Sequence, residues 1–382
     1  MVRFILIFLL FLISLLTVFP APTYHLWLLA ILITEFPYIF IGILLILFLI
    51  KSKSSGYKKV GNALATVTLI LFLSPVFRVY AIASKLSDEI KTALGNQASD
   101  LKINHLNQPF SFFSMFYGID DKAIQPQTFT YKSYPEISLQ LDFYSIKTAS
   151  KKPCVIVIHG GSWSGGDAKQ LPELNSYLAK RGYQVASIDY RLAPEYQNPL
   201  PVEDVKSAIH YLKDHAEKLQ IDTNNFVLLG RSAGAQIALL AAYTLKNEGI
   251  KGVIDFYGPA DMIFGYFVPS NPLVLNSHKV MEAYLGGTYN QVPAKYAASS
   301  PVLYVHKESV PTLLIHGKND VLVSYQHSVH LNSKLNQLKI KHYFLSLPWA
   351  THGCDYTLNG PSGQLATYTV ERFLNVVTPP KQ

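Results

Sequence analysis

Charge is scarce in this sequence. Asp, Glu, Lys and Arg make up 15% of its 382 residues, whereas about 25% is typical of soluble proteins. Hydrophobic residues make up 49%, and the mean hydropathy is +0.18. This composition excludes a disordered or collagen-like chain, and it indicates that an apolar segment dilutes the charge of the whole.

Motifs for several ligand classes are also missing. The sequence has no glycine-rich phosphate-binding loop and no Cys/His cluster with metal-ligand spacing, so neither a metal nor an organic cofactor is expected. The net charge is +8, but the larger, C-terminal part has no stretch of Lys and Arg with interleaved aromatics. Nucleic-acid binding is therefore not expected.

The N-terminal part explains both the low content of charged residues and most of the net positive charge. Residues 1–84 carry six Lys or Arg and one Glu, so five of the eight net positive charges lie there. Three apolar stretches occur at 4–19, 26–50 and 60–83. Because a helix needs about 20 apolar residues to cross a bilayer, they predict a transmembrane region of about three helices.

The segment KSKSSGYKK at 51–59 separates the second and third apolar stretches. By the positive-inside rule it is cytoplasmic, so the chain after the third helix is extracytoplasmic: periplasmic, extracellular or lumenal. A cleaved signal peptide at 1–21 is the alternative for the first stretch, and its removal would leave this topology unchanged. Glu35, beside Pro37, is interpreted either as a functional intramembrane carboxylate or as a kink that faces a neighbouring helix.

Residues 85–126 are interpreted as a linker next to the membrane. Its second half contains PFSFFSMFYG, with five aromatics in ten residues. Two interpretations remain open: an aromatic anchor at the membrane interface, or a segment packed on the domain that follows.

From residue 127 onward, short apolar runs alternate with helical patterns. FTYKSY and SLQLDFYS alternate in polarity and predict an antiparallel pair of strands. Six further runs are typical of strands buried on both faces of a parallel sheet: CVIVIH, QVASIDY, NFVLLG, GVIDFYG, TLLIHG and HYFLSLP. The alternation predicts an α/β domain over 127–382 with a mostly parallel, doubly wound sheet. Residues 259–311 contain no matching strand and are interpreted as a cap insertion.

The strongest local motif is GRSAG at 230–234. It follows the apolar run FVLL and opens a helical pattern, which is the setting of a G-x-S-x-G nucleophile elbow around Ser232. The turn is strained and neighbouring backbone passes close, so the positions two before and two after the serine must lack a side chain. The alternative is a glycine-rich turn that happens to contain a serine.

A second motif, HGGSW at 159–163, comes directly after the apolar run CVIVI. Loops of the HGG type present backbone N–H groups to an oxyanion, and glycine lets the main chain approach the substrate carbonyl. A simple turn at the end of a strand is the alternative.

A nucleophilic serine needs an imidazole to accept its proton and a carboxylate to orient that imidazole. In this architecture the chain order is Ser, acid, His, and Asp320 and His352 each lie just past a predicted strand in that order. Asp255 and Asp261 are the alternative acids. The remaining C-terminal histidines lie near or within helix and strand patterns, where packing or surface roles are common: His316, His327, His330 and His342.

Together these motifs resemble the α/β-hydrolases of the esterase/lipase group, which includes hormone-sensitive-lipase-like carboxylesterases and prenylcysteine methylesterases. The resemblance covers about two thirds of the chain. It rests on HGGSW, GRSAG and three further segments, DYRLAPE at 189–195, GKND at 317–320 and THG at 351–353. Ser162 stands where hormone-sensitive-lipase-like enzymes usually have a third glycine, so the HGG-x-W version resembles the methylesterase-like and feruloyl-esterase-like branches.

The resemblance implies ester hydrolysis in two steps. Ser232 would attack the carbonyl, His352 would accept its proton and Asp320 would orient His352. The oxyanion would be stabilised by the backbone N–H groups of Gly160, Gly161 and Ala233. Trp163, at the end of the same loop motif, would contact the substrate.

The two cysteines, Cys154 and Cys354, are expected to remain free thiols. Cys154 begins its predicted strand and His159 ends it, so about five residues at 3.3 Å each separate Cys154 from the end where Cys354 should lie. A disulfide tolerates at most about 7 Å between the Cα atoms.

The functional expectation is a membrane-anchored serine carboxylesterase. Alternatives are a lipase or prenylcysteine-type methylesterase, a deacetylase of envelope polysaccharide, a serine peptidase and a non-catalytic scaffold. The expected partners are a small-molecule or lipid ester and the membrane; the oligomeric state stays open.

Overall fold

The structure, a computed structural model, describes residues 1–50, 55–99, 106–120, 123–148 and 150–379. The beginning of the lysine-rich segment, 51–54, lies outside the described residues, as do parts of the expected linker, 100–105 and 121–122.

Helices and strands alternate through most of the described chain. The strands are β1 Gln127–Ser133, β2 Ser138–Tyr144, β3 Lys152–Ile158, β4 Gln184–Ile188, β5 Ile221–Arg231, β6 Ile250–Phe256, β7 Thr312–Gly317 and β8 His342–Leu347. The N-terminal helices are α1 Val2–Ser14, α2 Tyr24–Glu35, α3 Pro37–Leu49, α4 Ser55–Leu94 and α5 Ser114–Tyr117. The later helices are α6 Pro172–Lys180, α7 Leu200–Asp214, α8 Ala216–Leu219, α9 Ala233–Thr244, α10 Met262–Phe267, α11 Ser277–Leu285, α12 Pro293–Ala298, α13 Gln326–Gln337 and α14 Pro361–Val377.

The strands form one sheet in the order β1-β2-β4-β3-β5-β6-β7-β8. The pairs β1–β2 and β2–β4 are antiparallel, and the pairs from β4 to β8 are parallel. The predicted antiparallel pair and the mostly parallel sheet are therefore confirmed. Because parallel strands end at the same edge, the loops after β3, β5, β7 and β8 meet there.

Both faces of the sheet are covered, as the apolar runs predict. In β3, Ile156 and Ile158 belong to one buried cluster, whereas Val155 and Val157 belong to the other. Successive side chains of a strand point to opposite faces, so a strand between two helical layers must be apolar at every position.

The segment between β6 and β7 contains three short helices, α10, α11 and α12, and a 3-10 turn at Pro301–Tyr304. This is the stretch interpreted as a cap insertion. No strand occurs within it, and all its residues are described.

The N-terminal helices α1 and α3 pack with the first half of α4 in a separate apolar bundle. Its interior includes Ile7, Leu44 and Phe72. At one end of this bundle, Arg3 donates hydrogen bonds to the Leu47 carbonyl at 2.8 Å and to Asn62 Oδ1 at 2.7 Å.

The single helix predicted at 26–50 is divided at the position where a kink beside Pro37 was expected. The chain forms α2 and α3, which meet at a bend of 86°. Pro37 is the cause, because it disfavours helical geometry in the preceding residue, and Phe36 lies outside the helical region at φ −125° and ψ 47°.

Glu35 lies at this bend and faces a neighbouring helix, as one of the two interpretations predicts; that helix is α14 of the α/β domain. The buried Oε2 of Glu35 accepts a hydrogen bond of 3.0 Å from the N–H of Ser362, in the first turn of α14. A carboxyl oxygen at a helix N-terminus accepts from N–H groups that have no partner within the helix. Glu35 therefore attaches α2 to the α/β domain.

The helix α4 joins the two parts of the molecule. Its first half packs in the apolar bundle, and Val79, Leu86 and Ile90 pack in a cluster shared with β3 and α14. The expected boundary at residue 84 therefore lies inside a continuous helix. Hydropathy falls at that position, but the hydrogen-bonded backbone continues to Leu94.

Among the described residues, α4 is the helix that is long and apolar enough to cross a membrane by itself. The bent pair α2–α3 would be a second span only if the two helices together formed one broken span. The first helix and its 3-10 turn, Val2–Thr17, are shorter than the about 20 residues that a span needs. On length and composition, one of the three expected spans is supported.

The aromatic segment of the linker divides between two environments. Phe110 and Met115 are buried against the catalytic domain, whereas Phe113, Phe116 and Tyr117 are exposed. Packing on the following domain is therefore confirmed for the buried residues, and the membrane-interface anchor stays a prediction for the exposed ones.

Both cysteines are buried and free. Cys154 lies in β3, and Cys354 follows the loop after β8, as the strand geometry predicts.

Candidate active site

Ser232 lies in the sharp turn between β5 and α9. Its φ of 54° and ψ of −121° are strained for a residue with a side chain. The turn is tightly enclosed: a Cβ at Gly230 would lie 2.3 Å from the Gly234 carbonyl oxygen, and one at Gly234 would lie 2.2 Å from the His159 carbonyl oxygen. Glycine is required at both positions, as the elbow motif predicts.

We expect Gly234→Ala to destabilise the fold by about 2–4 kcal/mol, because its methyl group would overlap backbone atoms that belong to β3 and cannot rotate away. The measurement is the melting temperature of the detergent-solubilised protein. Gly42→Ala in α3 is the matched control, since a Cβ there meets no atom within 4 Å. Equal melting temperatures for the two variants would contradict the steric argument.

The loops after β5, β7 and β8 bring three predicted side chains together. The Nε2 atom of His352 lies 2.9 Å from Ser232 Oγ, and Nδ1 lies 2.7 Å from Asp320 Oδ2. Asp320 is held in turn by the N–H groups of Leu322 and Val323, each donating to Oδ1 at 2.9 Å. This arrangement can move a proton from the hydroxyl to the imidazole while the carboxylate fixes the tautomer.

Asp320 is buried but stays ionised. Burial alone would raise its pKa, but the charge of His352 and hydrogen bonds from His316 and His352 outweigh burial and hold the pKa well below its usual range. The carboxylate is therefore negative at every pH at which the protein is expected to work.

The two alternative acids lie elsewhere. Asp255 is fully buried in β6, where Oδ1 accepts a hydrogen bond of 2.7 Å from the Gly258 N–H. Asp261 caps the N-terminus of α10 by accepting from the Phe264 N–H at 2.9 Å. Neither carboxylate is hydrogen-bonded to His352, so the structure brings only Asp320, among the three candidates, to the imidazole.

Asp255 predicts a pH dependence of stability. Burial raises its pKa to about 7, whereas an unfolded Asp titrates near 3.9. Below about pH 4 the carboxyl is neutral in both states. Between pH 4 and 7 only the unfolded state loses the proton, so the free energy of unfolding falls as pH rises, by at most about 4 kcal/mol.

We therefore expect Asp255→Asn, which cannot ionise, to gain stability relative to the wild type as pH rises. The measurement is the difference in melting temperature between the two proteins at pH 4 and at pH 8. A difference that stays constant over this range would show that Asp255 does not titrate in the fold.

The loop after β3 lies against the elbow. A Cβ at Gly160 would come within 3.3 Å of Ser232 Cβ, and one at Gly161, where φ is 121°, would lie 2.1 Å from the Gly165 carbonyl oxygen. Glycine at 160 therefore allows a close approach of the main chain to the serine, and glycine at 161 allows the loop to fold back against Gly165.

The expectation that the Gly160 N–H faces the oxyanion is wrong in this structure. This N–H donates to Gln170 Oε1 at 2.7 Å, so it is already engaged. Among the described residues, none accepts a hydrogen bond from the N–H of Gly161, Ser162 or Ala233. The first turn of a helix leaves its N–H groups unpaired, so Ala233 at the start of α9 is available as a donor.

A comparison with known families agrees with this geometry. The model of the BD-FAE family matches residues 141–335, just over half of the chain. The chain belongs to the BD-FAE family. The matched region contains Ser232 and Asp320, and His352 lies beyond its end.

Curated relatives of this BD-FAE chain include two proteins of Mycobacterium tuberculosis (strain ATCC 25618 / H37Rv). Esterase LipC is 29% identical over 254 residues, covering 62% of this chain and 62% of the relative. Probable carboxylic ester hydrolase LipM is 28% identical over 235 residues, covering 58% and 54%. The chain thus spans less than two thirds of the length of these relatives.

Solved structures share the fold. A bacterial heroin esterase is similar with a TM-score of 0.58 at 20% identity, over 78% of this chain and 93% of that one. A truncated carbohydrate esterase from gut microbiota has a TM-score of 0.55 at 22% identity, and the match covers 66% of this chain and 98% of that one. At this identity the likeness establishes the α/β-hydrolase fold.

Trp163 of the BD-FAE chain, expected to contact substrate, is 5% exposed. Its Nε1 donates to Gln236 Oε1 at 3.0 Å, and its ring stacks on Tyr284 with centroids 4.5 Å apart. One edge of the ring borders a cavity beside Ser232. The side chain therefore both builds the wall of the site and can contact a bound group.

Two contacts in the site are absent from the sequence expectations. His316, in β7, was expected to be a packing or surface residue, but its Nε2 lies 3.1 Å from Asp320 Oδ2. Trp27, in α2, donates from Nε1 to the His352 carbonyl at 3.0 Å. The position of His316 four residues before Asp320 is a usable local signal, whereas no local signal links Trp27 to residue 352.

Two cavities meet at Ser232. The small cavity has a volume of about 60 Å³ and is bordered mainly by the cap, through residues that include Met262, Val280 and Met281. The large cavity has a volume of about 820 Å³ and is bordered by His352 and by α2. Ser232 therefore has space on both sides, and the two cavities differ greatly in volume.

Proposed function

We propose that this protein is a serine carboxylesterase in which Ser232, His352 and Asp320 form the catalytic triad. The single observation that carries the proposal is the position of His352, hydrogen-bonded to Ser232 Oγ and to Asp320. The esterase relatives support the same reaction class. No metal or cofactor enters the proposed reaction.

In the first half-reaction, Ser232 Oγ attacks the ester carbonyl carbon while His352 Nε2 takes the hydroxyl proton. Asp320 accepts a hydrogen bond from Nδ1 and stabilises the imidazolium that forms. The carbonyl oxygen becomes an oxyanion, for which the N–H groups of Gly161, Ser162 and Ala233 are the proposed donors. Collapse of the intermediate breaks the ester bond, and His352 gives its proton to the leaving alcohol.

In the second half-reaction, water replaces the alcohol. His352 takes a proton from the water as its oxygen attacks the acyl-enzyme carbonyl, and the same N–H groups stabilise the second oxyanion. Breakage of the acyl–Oγ bond returns the proton to Ser232 and releases the carboxylic acid.

A fluorophosphonate probe tests the proposal directly, because it reacts with an activated serine. We expect the full-length protein in detergent to be labelled on Ser232, as read by peptide mass spectrometry. Ser232→Ala should lose the label, whereas Ser207→Ala in α7 should keep it. Absence of labelling on Ser232, or labelling without p-nitrophenyl acetate hydrolysis, would overturn the carboxylesterase proposal.

We also propose that the apolar bundle anchors the protein in a membrane with the catalytic domain on the extracytoplasmic side. Exposed apolar side chains cover the bundle, among them Ile43, Ile46 and Val60. Lys58, Lys59 and the Arg3 contacts with Leu47 and Asn62 lie at one end of it. The α1–α2 turn lies at the other end, where Arg78 binds the Thr17 carbonyl. This distribution of charge supports the positive-inside orientation.

The buried cysteines make this topology testable. Because Cys154 and Cys354 are inaccessible, single cysteines can be introduced at Gly56, beside the lysines, and at Lys206, on the exposed side of α7. In intact cells we expect a membrane-impermeant maleimide to label Lys206→Cys, and Gly56→Cys only after lysis. The reverse pattern would place the catalytic domain in the cytoplasm.

A further inference from the structure

Helix α2 is attached to the catalytic domain along its whole length. At its start, the Tyr24 N–H donates to the Leu273 carbonyl of the cap at 3.0 Å. In its middle, Trp27 donates to the His352 carbonyl, and at its end Glu35 accepts from Ser362. The helix is therefore a fixed part of the site.

The inner side of α2 forms one wall of the large cavity. Leu28 and Leu32 lie one turn apart and border the cavity, yet 40% and 44% of their surfaces remain exposed. Tyr24 and Tyr356 also border the cavity, and their exposed fractions are 46% and 55%. Side chains that border a cavity and also reach the surface form its rim, so the entrance is rimmed by apolar and aromatic groups.

The rest of the wall is poor in charge. Among the described residues that border the large cavity, Arg231 is the only Lys, Arg, Asp or Glu, and it is buried in an ion pair with Asp355. Aliphatic side chains from the cap, such as Val274 and Leu275, continue the lining. Most of the remaining lining is apolar, so an alkyl chain would be desolvated by it.

The reaction decides which half of an ester occupies which cavity. His352 must return its proton to the leaving alcohol, so the alcohol lies on the imidazole side. Ser232 borders both cavities, whereas His352 borders the large cavity. The alcohol therefore occupies the large cavity and the acyl group the small one, whose volume of about 60 Å³ is far below the 820 Å³ of the large cavity.

The entrance also adjoins the apolar bundle. Helix α2 continues through the bend at Phe36 into α3, which packs in that bundle, and the nearby cap residues Phe267 and Leu273 are exposed. Contiguous apolar surface at the mouth of a cavity is typical of contact with a membrane.

Resting on the proposed esterase function, we infer that the substrate is a membrane-resident ester with a short acyl group on a long apolar alcohol, and that α2 is the binding wall for that alcohol. Such a substrate would pass from the bilayer across the rim of Leu28 and Leu32 without crossing water.

Two constitutional isomers test this inference with matched hydrophobicity: dodecyl acetate and ethyl dodecanoate. With the full chain in phospholipid nanodiscs, we expect kcat/KM to be about 100-fold higher for dodecyl acetate, because the long acyl chain of its isomer exceeds the small cavity. Leu28→Gln combined with Leu32→Gln should lower kcat/KM for dodecyl acetate about tenfold, through loss of apolar contact. The control, Leu303→Gln, changes an exposed leucine outside both cavities and should have no effect.

The outcomes separate this inference from the function on which it rests. If the wild type hydrolyses p-nitrophenyl acetate in a Ser232-dependent manner but does not prefer dodecyl acetate over its isomer, the substrate assignment is wrong and the esterase proposal stands. A preference for acetylated xylan over dodecyl acetate would also overturn it. If no ester is hydrolysed, the proposed function itself fails. Retained fluorophosphonate labelling of the double variant ensures that its loss of activity does not reflect misfolding.

Discussion

Replacement of His352 by alanine is expected to lower kcat for p-nitrophenyl acetate by about 10⁶-fold. In the proposed triad this side chain supplies the base that removes the Ser232 proton, as its distances of 2.9 Å to Ser232 and 2.7 Å to Asp320 allow. Without the imidazole, the hydroxyl remains a weak nucleophile at neutral pH.

The triad also predicts that these losses do not add. Ser232→Ala, His352→Ala and the double variant are expected to reach the same residual rate, because each removes the same proton transfer. His330→Ala is the matched control, since His330 lies in α13 and borders neither cavity. A double variant much slower than either single variant would mean that the two residues act independently, which contradicts a triad.

Replacement of Asp320 by asparagine is expected to lower kcat about 10⁴-fold with little change in the fold. The asparagine amide can donate a hydrogen bond to His352 Nδ1, which would place the imidazole proton on Nε2. That nitrogen could then no longer accept the proton of Ser232. The measurement is kcat for p-nitrophenyl acetate, together with the melting temperature as a check on folding.

Asp261→Asn is the control for this second prediction. Asp261 caps α10, and an asparagine can still accept the hydrogen bond from the Phe264 N–H. We expect its kcat to stay close to that of the wild type. If Asp261→Asn caused the greater loss, the acid of the triad would have been assigned to the wrong loop.

Local backbone rules explain why so much of the catalytic arrangement was predictable. The elbow around Ser232 requires glycine at fixed offsets, so its motif appears in five consecutive residues. Asp320 and His352 follow strands, and strands of a parallel sheet end at one edge, so their meeting follows once the strands are recognised. The apolar runs identified those strands because burial on both faces leaves no polar positions.

Contacts made by side chains from distant loops were not predictable in this way. Gln170 takes the N–H of Gly160 because the chain after the HGG loop folds back over it. His316 reaches Asp320 because β7 directs that side chain toward the loop that follows. The Gln170 contact has no motif, since it depends on how two segments pack, whereas the spacing of His316 and Asp320 along the chain is the local signal for the second contact.

The N-terminal part separates the two kinds of information most clearly. The sequence by itself determined that residues 1–84 are apolar and that their positive charge is concentrated near the lysine-rich segment, because hydropathy and charge are properties of composition. Only the tertiary structure decided that the second apolar stretch bends by 86° beside Pro37 and that its first half, α2, packs beside His352. An apolar helix that crosses a membrane and one that lines a cavity both bury hydrophobic side chains, so hydropathy alone cannot distinguish them.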